Sequence, residues 1–203
     1  MNRIEKALAE VSSRLSRAEV RFALVGGLAV SARSEPRFTR DVDVAVAVPG
    51  DPAAEQLVRS LVKAGFSVLA VVEQEATGRM ATVRLLPPGE TEEGVVVDLL
   101  FASSGVETEV VQSAEPIAVS PDLQLPVATL AHLVALKVLA SDETRPQDDV
   151  DLRGLLREAT DADVTETRRT LELITQRGCA RGRDLESRFD EALARWRSSA
   201  SSG

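Results

Sequence analysis

Hydrophobic residues recur with two different periods along this chain, and each period predicts one type of element. Apolar residues three and four positions apart predict an amphipathic helix over residues 2–17 and another over residues 52–65. Strict alternation in DVDVAVAV, residues 41–48, predicts a strand. Side chains alternate between the two faces of a strand, so the valines share one face and Asp41 and Asp43 share the other.

The remaining pattern divides the chain into a mixed region followed by a helical one. RFALV predicts a strand that ends at Gly26-Gly27, where a helix is expected to begin, and FSVLAVV, MATVRLL and GVVVDLLF predict three more strands. The proline-bounded segment 115–126 is interpreted as a connector. Helical patterns follow at 128–141, 148–158, 163–176 and 183–197.

This order of elements predicts an α+β protein, with a small mixed β-sheet core flanked by helices and an all-α C-terminal part. The composition changes near residues 115–127, and we place the boundary there. The core would occupy residues 1–120 and the helical region residues 121–198. A disordered tail is expected at residues 199–203, where the chain reads SASSG.

Charge and cysteine content limit the classes of function. The net charge is −8, which is not typical of a protein that binds nucleic acid non-specifically over its whole surface. Basic side chains exceed acidic ones by four within residues 1–40, whereas residues 41–160 carry a net charge of −12. A single cysteine, Cys179, excludes an internal disulfide, and no apolar run is long enough to span a membrane. The first residues do not resemble a signal peptide, so we expect a cytoplasmic protein without a membrane partner.

Asp41 and Asp43 are the first candidate functional residues. They would lie about 6–7 Å apart on one strand face, given a rise of about 3.3 Å per residue. Two neighbouring carboxylates repel each other unless a cation neutralises them, and Mg²⁺ prefers one or two carboxylates together with water and substrate phosphates. The alternative is an edge strand that begins with two solvated aspartates.

Asp98 is the only polar residue in the apolar run 95–101. An unpaired buried aspartate costs several kcal/mol, so Asp98 should have a partner. It could pair with an arginine such as Arg84. Alternatively, it could lie beside Asp41 and Asp43 on an adjacent strand, where three carboxylates could hold two metal ions about 3.5–4 Å apart.

Basic residues and glycines near these aspartates are candidates for binding phosphate. Gly26-Gly27, between a strand and a helix, would expose backbone N–H groups at the positive end of the helix. Arginines at positions 33, 37 and 40 follow and could meet a triphosphate, or could be ordinary surface residues. Lys137 is the only charged residue in a largely apolar helix, where it must reach water, a carboxylate or a phosphate. Asp148 and Asp151 are interpreted either as capping residues of the next helix or as site residues.

Taken together, these features resemble a known superfamily. A strand, Gly-Gly, a helix, D-x-D and a lone aspartate on a later strand are similar to the DNA polymerase β-like nucleotidyltransferases. RFTRDVDV, residues 37–44, resembles the AbiEii-type nucleotidyltransferase toxins of bacterial type IV toxin–antitoxin systems. That family continues with a helical lysine, an arginine and a KD-x-x-D-L element. Lys137, Arg145, Asp148 and Asp151 match this pattern, and Gln147 replaces the lysine of KD.

The resemblance implies an activity and a set of roles. The enzyme would move a nucleoside monophosphate from an NTP to an acceptor and release pyrophosphate. Asp41 and Asp43 would bind the nucleotide-side Mg²⁺ and bridge to a second ion, and Asp98 would bind the second ion and help to deprotonate the acceptor. The implied nucleotide-binding residues are Gly26, Gly27, Arg40, Lys137 and Asp151.

The acceptor implied by the resemblance is RNA, in particular tRNA, and the implied protein partner is a cognate antitoxin. An RNA acceptor needs a basic track. The candidate arginines are at positions 33, 37 and 40, and at positions 168, 169, 177, 181 and 183 in the C-terminal helices. Two alternatives stay open. One is a nucleotidyltransferase that modifies an aminoglycoside-like antibiotic, and the other is a catalytically silent nucleotide-binding relative.

Overall fold

A computed structural model describes residues 2–91, 93–142 and 146–196 of the chain. Seven strands and eight helices are found in these residues. The strands are β1 (Arg21–Val25), β2 (Asp41–Ala47), β3 (Ser67–Glu73), β4 (Met80–Leu86), β5 (Val96–Leu100), β6 (Glu115–Ser120) and β7 (Leu123–Val127). The helices are α1 (Arg3–Arg17), α2 (Gly26–Arg33), α3 (Asp51–Lys63), α4 (Glu107–Gln112), α5 (Leu130–Ala140), α6 (Pro146–Glu158), α7 (Asp161–Gln176) and α8 (Leu185–Trp196).

The seven strands form one mixed sheet in the order β3-β4-β5-β2-β1-β7-β6. Strand β2 lies at the centre, antiparallel to β1 and parallel to β5. Its valines Val42, Val44 and Val46 are buried, as the alternating pattern predicts. The expected α+β class, with a small mixed sheet and flanking helices, is confirmed.

The interpretation of residues 115–126 as a connector is wrong. Strands β6 and β7 form an antiparallel hairpin there, and β7 pairs in parallel with β1 through Leu24 and Val127. Pro116 is tolerated because β6 is an edge strand of the sheet, where a missing N–H donor can face away from the ladder, and Pro126 lies next to Val127 at the end of β7. The predicted division between residues 120 and 121 falls in the turn of this hairpin and stays a prediction.

Helices α5 to α8 pack on one another in the C-terminal part of the chain, and α5 contacts each of the other three. Helix α2 contacts α5 and α6, and so connects this bundle to the strand ends that carry the aspartates. Within the described ranges, no helix is long and apolar enough to cross a membrane. Arg145 and the predicted disordered tail at 199–203 lie outside the described residues.

Candidate active site

The three predicted aspartates lie on two neighbouring strands at the centre of the sheet. Strands β2 and β5 are parallel, and their register places Asp43 directly beside Asp98. Residues in register on adjacent strands point to the same face, so both carboxylates face the same side of the sheet. Asp41, two residues before Asp43, shares this face and is exposed to solvent. The structure therefore places all three carboxylates on one sheet face. Alternation predicted this for Asp41 and Asp43, and for Asp98 it was one of two alternatives.

Asp43 is the half-buried member of this group, and its charge is poorly compensated. Loss of hydration on burial, followed by repulsion from Asp98 and Asp41, raises its pKa to about 7. The positive charges of Lys137 and Arg84 oppose this shift without cancelling it. Among the described residues, no side chain donates a hydrogen bond to the Asp43 carboxylate. A carboxylate in this environment would be stabilised in its ionised form by a bound cation.

Asp98 has a partner, which is the arginine that the sequence offered as an alternative. Arg84 lies directly opposite Asp98 in the antiparallel pair of β4 and β5. Its Nε donates to Asp98 Oδ1 at 2.9 Å and its Nη2 donates to Oδ2 at 2.7 Å. This two-pronged geometry is the strongest form of arginine–carboxylate contact. Asp98 is thus adjacent to Asp43 and paired with Arg84 at the same time.

The Gly26-Gly27 turn is fixed by the position of these aspartates. Strand β1 ends at Val25, which pairs with Asp43, and α2 begins with Gly26. Gly26 has a φ of +63°, and a Cβ there would overlap the Asp43 carboxylate. A Cβ at Gly27 would collide with the guanidinium of Arg37. Because the first N–H groups of a helix have no partners within the helix, this turn offers donors to an anion beside the aspartates.

Lys137 belongs to a buried network of charges on the opposite wall. Its Nζ donates to Asp148 Oδ1 at 2.6 Å and lies 2.6 Å from Asp151 Oδ2. Arg37 Nη2 also donates to Asp151 Oδ2, at 2.8 Å, and Gln147 Nε2 donates to Oδ1 at 3.2 Å. Burial alone would raise the pKa of Asp151, but the hydrogen bonds from Lys137 and Arg37 outweigh it and lower the pKa.

Asp148 and Asp151 are ion-pair partners of Lys137, and both lie within helix α6 instead of Asp148 capping its N-terminus. Helix α6 begins at Pro146, two residues earlier than predicted, so Asp148 lies in its first turn. The side chain of Asp151 is 1% exposed and meets both Lys137 and Arg37. Asp151 thereby holds Arg37 and Lys137 in place. Both line the cleft that also contains the glycine turn and the three aspartates.

These groups surround a single cleft of about 630 Å³. Gly26, Gly27, Lys137 and the three aspartates line it, together with Arg37 and Arg84. Residues that the sequence did not single out as site candidates also line the cleft, among them Thr39, Thr82, Ser103 and Ser104, and so does Gln147, which replaces the lysine of KD. Small hydroxyl and amide side chains carry little signal in one sequence, since they are common in every loop. Only the positions of the strand ends identify them.

Most arginines that the sequence offered for a basic track bind carboxylates or carbonyls of this same chain. Arg33 donates to the backbone carbonyls of Val127 and Ala128. Other arginines pair with carboxylates or carbonyls of neighbouring elements, namely Arg168 with Asp190, Arg177 with Glu109 and Arg183 with the Leu139 carbonyl. Arg40 does not line the cleft, and its guanidinium lies 5.7 Å from the centre of the exposed Phe38 ring. Its predicted role in nucleotide binding stays a prediction.

A divalent cation fits the donor chemistry at Asp41 and Asp43. Both are carboxylates, which are hard oxygen ligands, and the raised pKa of Asp43 shows that its charge lacks compensation. In residues 2–91, 93–142 and 146–196, however, no three carboxylate, histidine or cysteine side chains converge on one ion position. On this face Arg84 holds both oxygens of Asp98.

Comparison with known proteins identifies the family of this chain. A sequence model described as the nucleotidyl transferase AbiEii toxin of type IV toxin–antitoxin systems matches residues 8–202. The chain belongs to the AbiEii family. Membership confirms the resemblance drawn from RFTRDVDV, and it makes the protein a nucleotidyltransferase. The family also implies an NTP substrate and an antitoxin partner. No curated protein sequence matches the chain.

Solved structures show that this AbiEii-family chain has a nucleotidyltransferase fold. It is similar to an antigenic nucleotidyltransferase-like protein from Paracoccidioides brasiliensis, with 18% identity, a TM-score of 0.51 and 91% of each chain covered. It is also similar to the antibiotic-resistance factor ANT(2'')-Ia, with 14% identity and a TM-score of 0.53, over 85% of this chain and 91% of the other. At these identities the similarity concerns the fold and not the acceptor.

Proposed function

We propose that this AbiEii-family protein is a Mg²⁺-dependent toxin that transfers a nucleoside monophosphate from an NTP to an RNA acceptor, with tRNA as the leading candidate. The observation that carries this proposal is the convergence of Asp41, Asp43 and Asp98 with the Gly26-Gly27 turn in one cleft. These elements are the metal-binding and phosphate-binding parts that nucleotidyl transfer requires.

The acidic residues of the cleft would bind the metal ion, and its N–H groups and basic residues would bind the phosphates. Asp41 and Asp43 would hold Mg²⁺, which when bound neutralises the triphosphate and orients its reacting phosphorus. Gly26 and Gly27 present backbone N–H groups to the phosphates, and Lys137 adds a positive charge from the facing wall. Asp98 is the carboxylate positioned to accept a proton from the acceptor hydroxyl, once it is released from Arg84. Asp151 holds Lys137 and Arg37 in place.

The charges around the cleft favour an anionic acceptor over a cationic drug. Arg84 and Arg181 both line the cleft, and both are exposed to solvent. Among the described residues that line it, the only acidic one besides the three proposed metal ligands is Asp148, which is paired with Lys137. An antibiotic with several ammonium groups would need acidic side chains beyond those that bind the metal. A phosphate backbone would instead meet the two arginines.

A labelling experiment tests the proposed function directly. The purified protein is incubated with Mg²⁺, each α-labelled NTP in turn, and either total RNA or a mixture of aminoglycosides. We expect label on RNA, no label with EDTA, and no label with the Asp41→Asn/Asp43→Asn variant. Circular dichroism should show that this variant is folded. Label on an aminoglycoside would replace RNA as the acceptor, and a fully active double variant would refute the metal site.

A growth experiment tests the toxin role. Induction of the wild-type protein in bacteria that lack its genomic neighbours should slow growth, and Asp43→Ala should abolish the effect. Co-expression of a cognate antitoxin should restore growth without changing the amount of protein. Equal growth of the wild-type and Asp43→Ala strains would contradict the toxin role and leave nucleotidyl transfer itself untouched.

A further inference from the structure

The positively charged guanidinium of Arg84 is hydrogen-bonded to Asp98, the third aspartate of the active site. Its guanidinium holds Asp98 Oδ1 and Oδ2 at 2.9 and 2.7 Å, so both carboxylate oxygens are engaged. Hydrogen bonding to Asp98 raises the pKa of Arg84 above its ordinary value, so the guanidinium stays charged at every pH at which the protein is folded. Arg84 therefore competes with any other cation that binds Asp98, whatever the pH.

The two members of this pair differ in exposure. The side chain of Asp98 is 11% exposed, whereas that of Arg84 is 47% exposed and lines the cleft. A guanidinium that is half in water can be hydrated when it leaves its partner, whereas the buried carboxylate it leaves behind needs another cation in its place. The buried carboxylate has no such freedom. Movement of Arg84, and not of Asp98, is the way in which this pair can open.

Metal binding would conflict with the closed pair. A divalent cation shared by Asp43 and Asp98 would bind an Asp98 oxygen that already accepts a hydrogen bond from Arg84, and its double charge would repel the guanidinium. Within the described residues no third carboxylate completes an ion site, and Arg84 holds both oxygens of Asp98. Asp43, by comparison, accepts no hydrogen bond from a described side chain and is open to a cation.

We infer that Arg84 is the resident counter-ion of Asp98 and competes with divalent cations for this carboxylate. The nucleotide-free protein then binds its cation through Asp41 and Asp43 alone, and Asp98 becomes a metal ligand only when Arg84 moves away. Arg84 is a positioning residue, since it acts through Asp98. This inference rests on the proposed metal site and specifies the order in which its carboxylates become available.

The test measures Mn²⁺ binding in the absence of nucleotide, by the loss of the electron paramagnetic resonance signal of free Mn²⁺. We expect Arg84→Met to bind Mn²⁺ about tenfold more tightly than wild type, which is the effect of one strong charge-assisted hydrogen bond. Arg79→Met is the matched control. Arg79 has a similar exposure of 43% and pairs with Asp51, and it does not line the cleft. Its removal should leave Mn²⁺ affinity unchanged.

A second variant separates competition at Asp98 from a general effect of charge. The tighter binding of Arg84→Met should disappear in Arg84→Met/Asp98→Asn, because the released ligand is then missing. Equal affinity of wild type and Arg84→Met would overturn the inference, and so would a gain that survives the loss of Asp98. If Arg84→Met does not fold, Arg84→Lys keeps a charge without the two-pronged contact and should show an intermediate gain. Absence of Mn²⁺ binding in all variants would overturn the proposed metal site together with this inference.

Discussion

Replacement of Asp43 by asparagine should make the metal-free protein more stable, and the gain should grow with pH. Asparagine has nearly the same shape and carries no charge. In the unfolded chain the aspartate ionises at its ordinary pKa of 3.8, whereas in the folded protein its pKa is about 7. Between these values the folded state binds more protons than the unfolded state, so the free energy of unfolding falls as pH rises.

The size of the effect follows from the two pKa values. The ionisation of Asp43 costs the folded protein about 1.7 kcal/mol at pH 5 and about 4 kcal/mol at pH 8, as an upper estimate. Asp43→Asn removes this cost at every pH. For a chain of this size the gain at pH 8 corresponds to a rise in Tm on the order of 10 °C. Loss of hydration and repulsion from Asp98 and Asp41 are its physical causes.

Urea unfolding in EDTA, followed by circular dichroism at several pH values from 5 to 8, measures this difference. Asp122→Asn is the control, since Asp122 is exposed in the turn between β6 and β7. The control should change stability by the same small amount at every pH. A gain for Asp43→Asn that does not depend on pH, or a loss of stability at pH 8, would refute the reasoning. Addition of Mn²⁺ should stabilise the wild type and not Asp43→Asn.

Two further substitutions test the walls of the cleft. Lys137→Met should weaken NTP binding and also lower the free energy of unfolding by about 3–5 kcal/mol, because the buried Asp151 loses one of its two cations. Isothermal titration measures the first effect and urea unfolding the second. Normal affinity for NTP would contradict the phosphate-binding role. Gly26→Ala should displace Asp43 and abolish Mn²⁺ binding. Gly78 is the control, because it has nearly the same φ, +64°, and open space around it. Gly78→Ala should therefore cost only backbone strain. Equal effects of the two glycine substitutions on Mn²⁺ binding would show that contact with Asp43 is unimportant.

The local pattern of the sequence was sufficient for the central part of the site. Alternation in residues 41–48 placed Asp41 and Asp43 on one face, and a polar residue in an apolar strand identified Asp98. These predictions succeed because a strand has a fixed period of two and because a buried charge must have a partner. The Gly-Gly turn was recognisable for a similar reason, since only glycine fits at a positive φ against a carboxylate.

Contacts between distant parts of the chain were decided only by the tertiary structure. The sequence could not choose between Arg84 and a metal ion as the partner of Asp98, since both satisfy the same buried charge. It missed the β6–β7 hairpin, because prolines are compatible with a connector and with an edge strand alike. It also could not show that Asp151, the partner of Lys137, binds Arg37, which lies 114 positions earlier in the chain. Pairing across such separations depends on which strand ends and helix faces the fold brings together, and no local period encodes that choice.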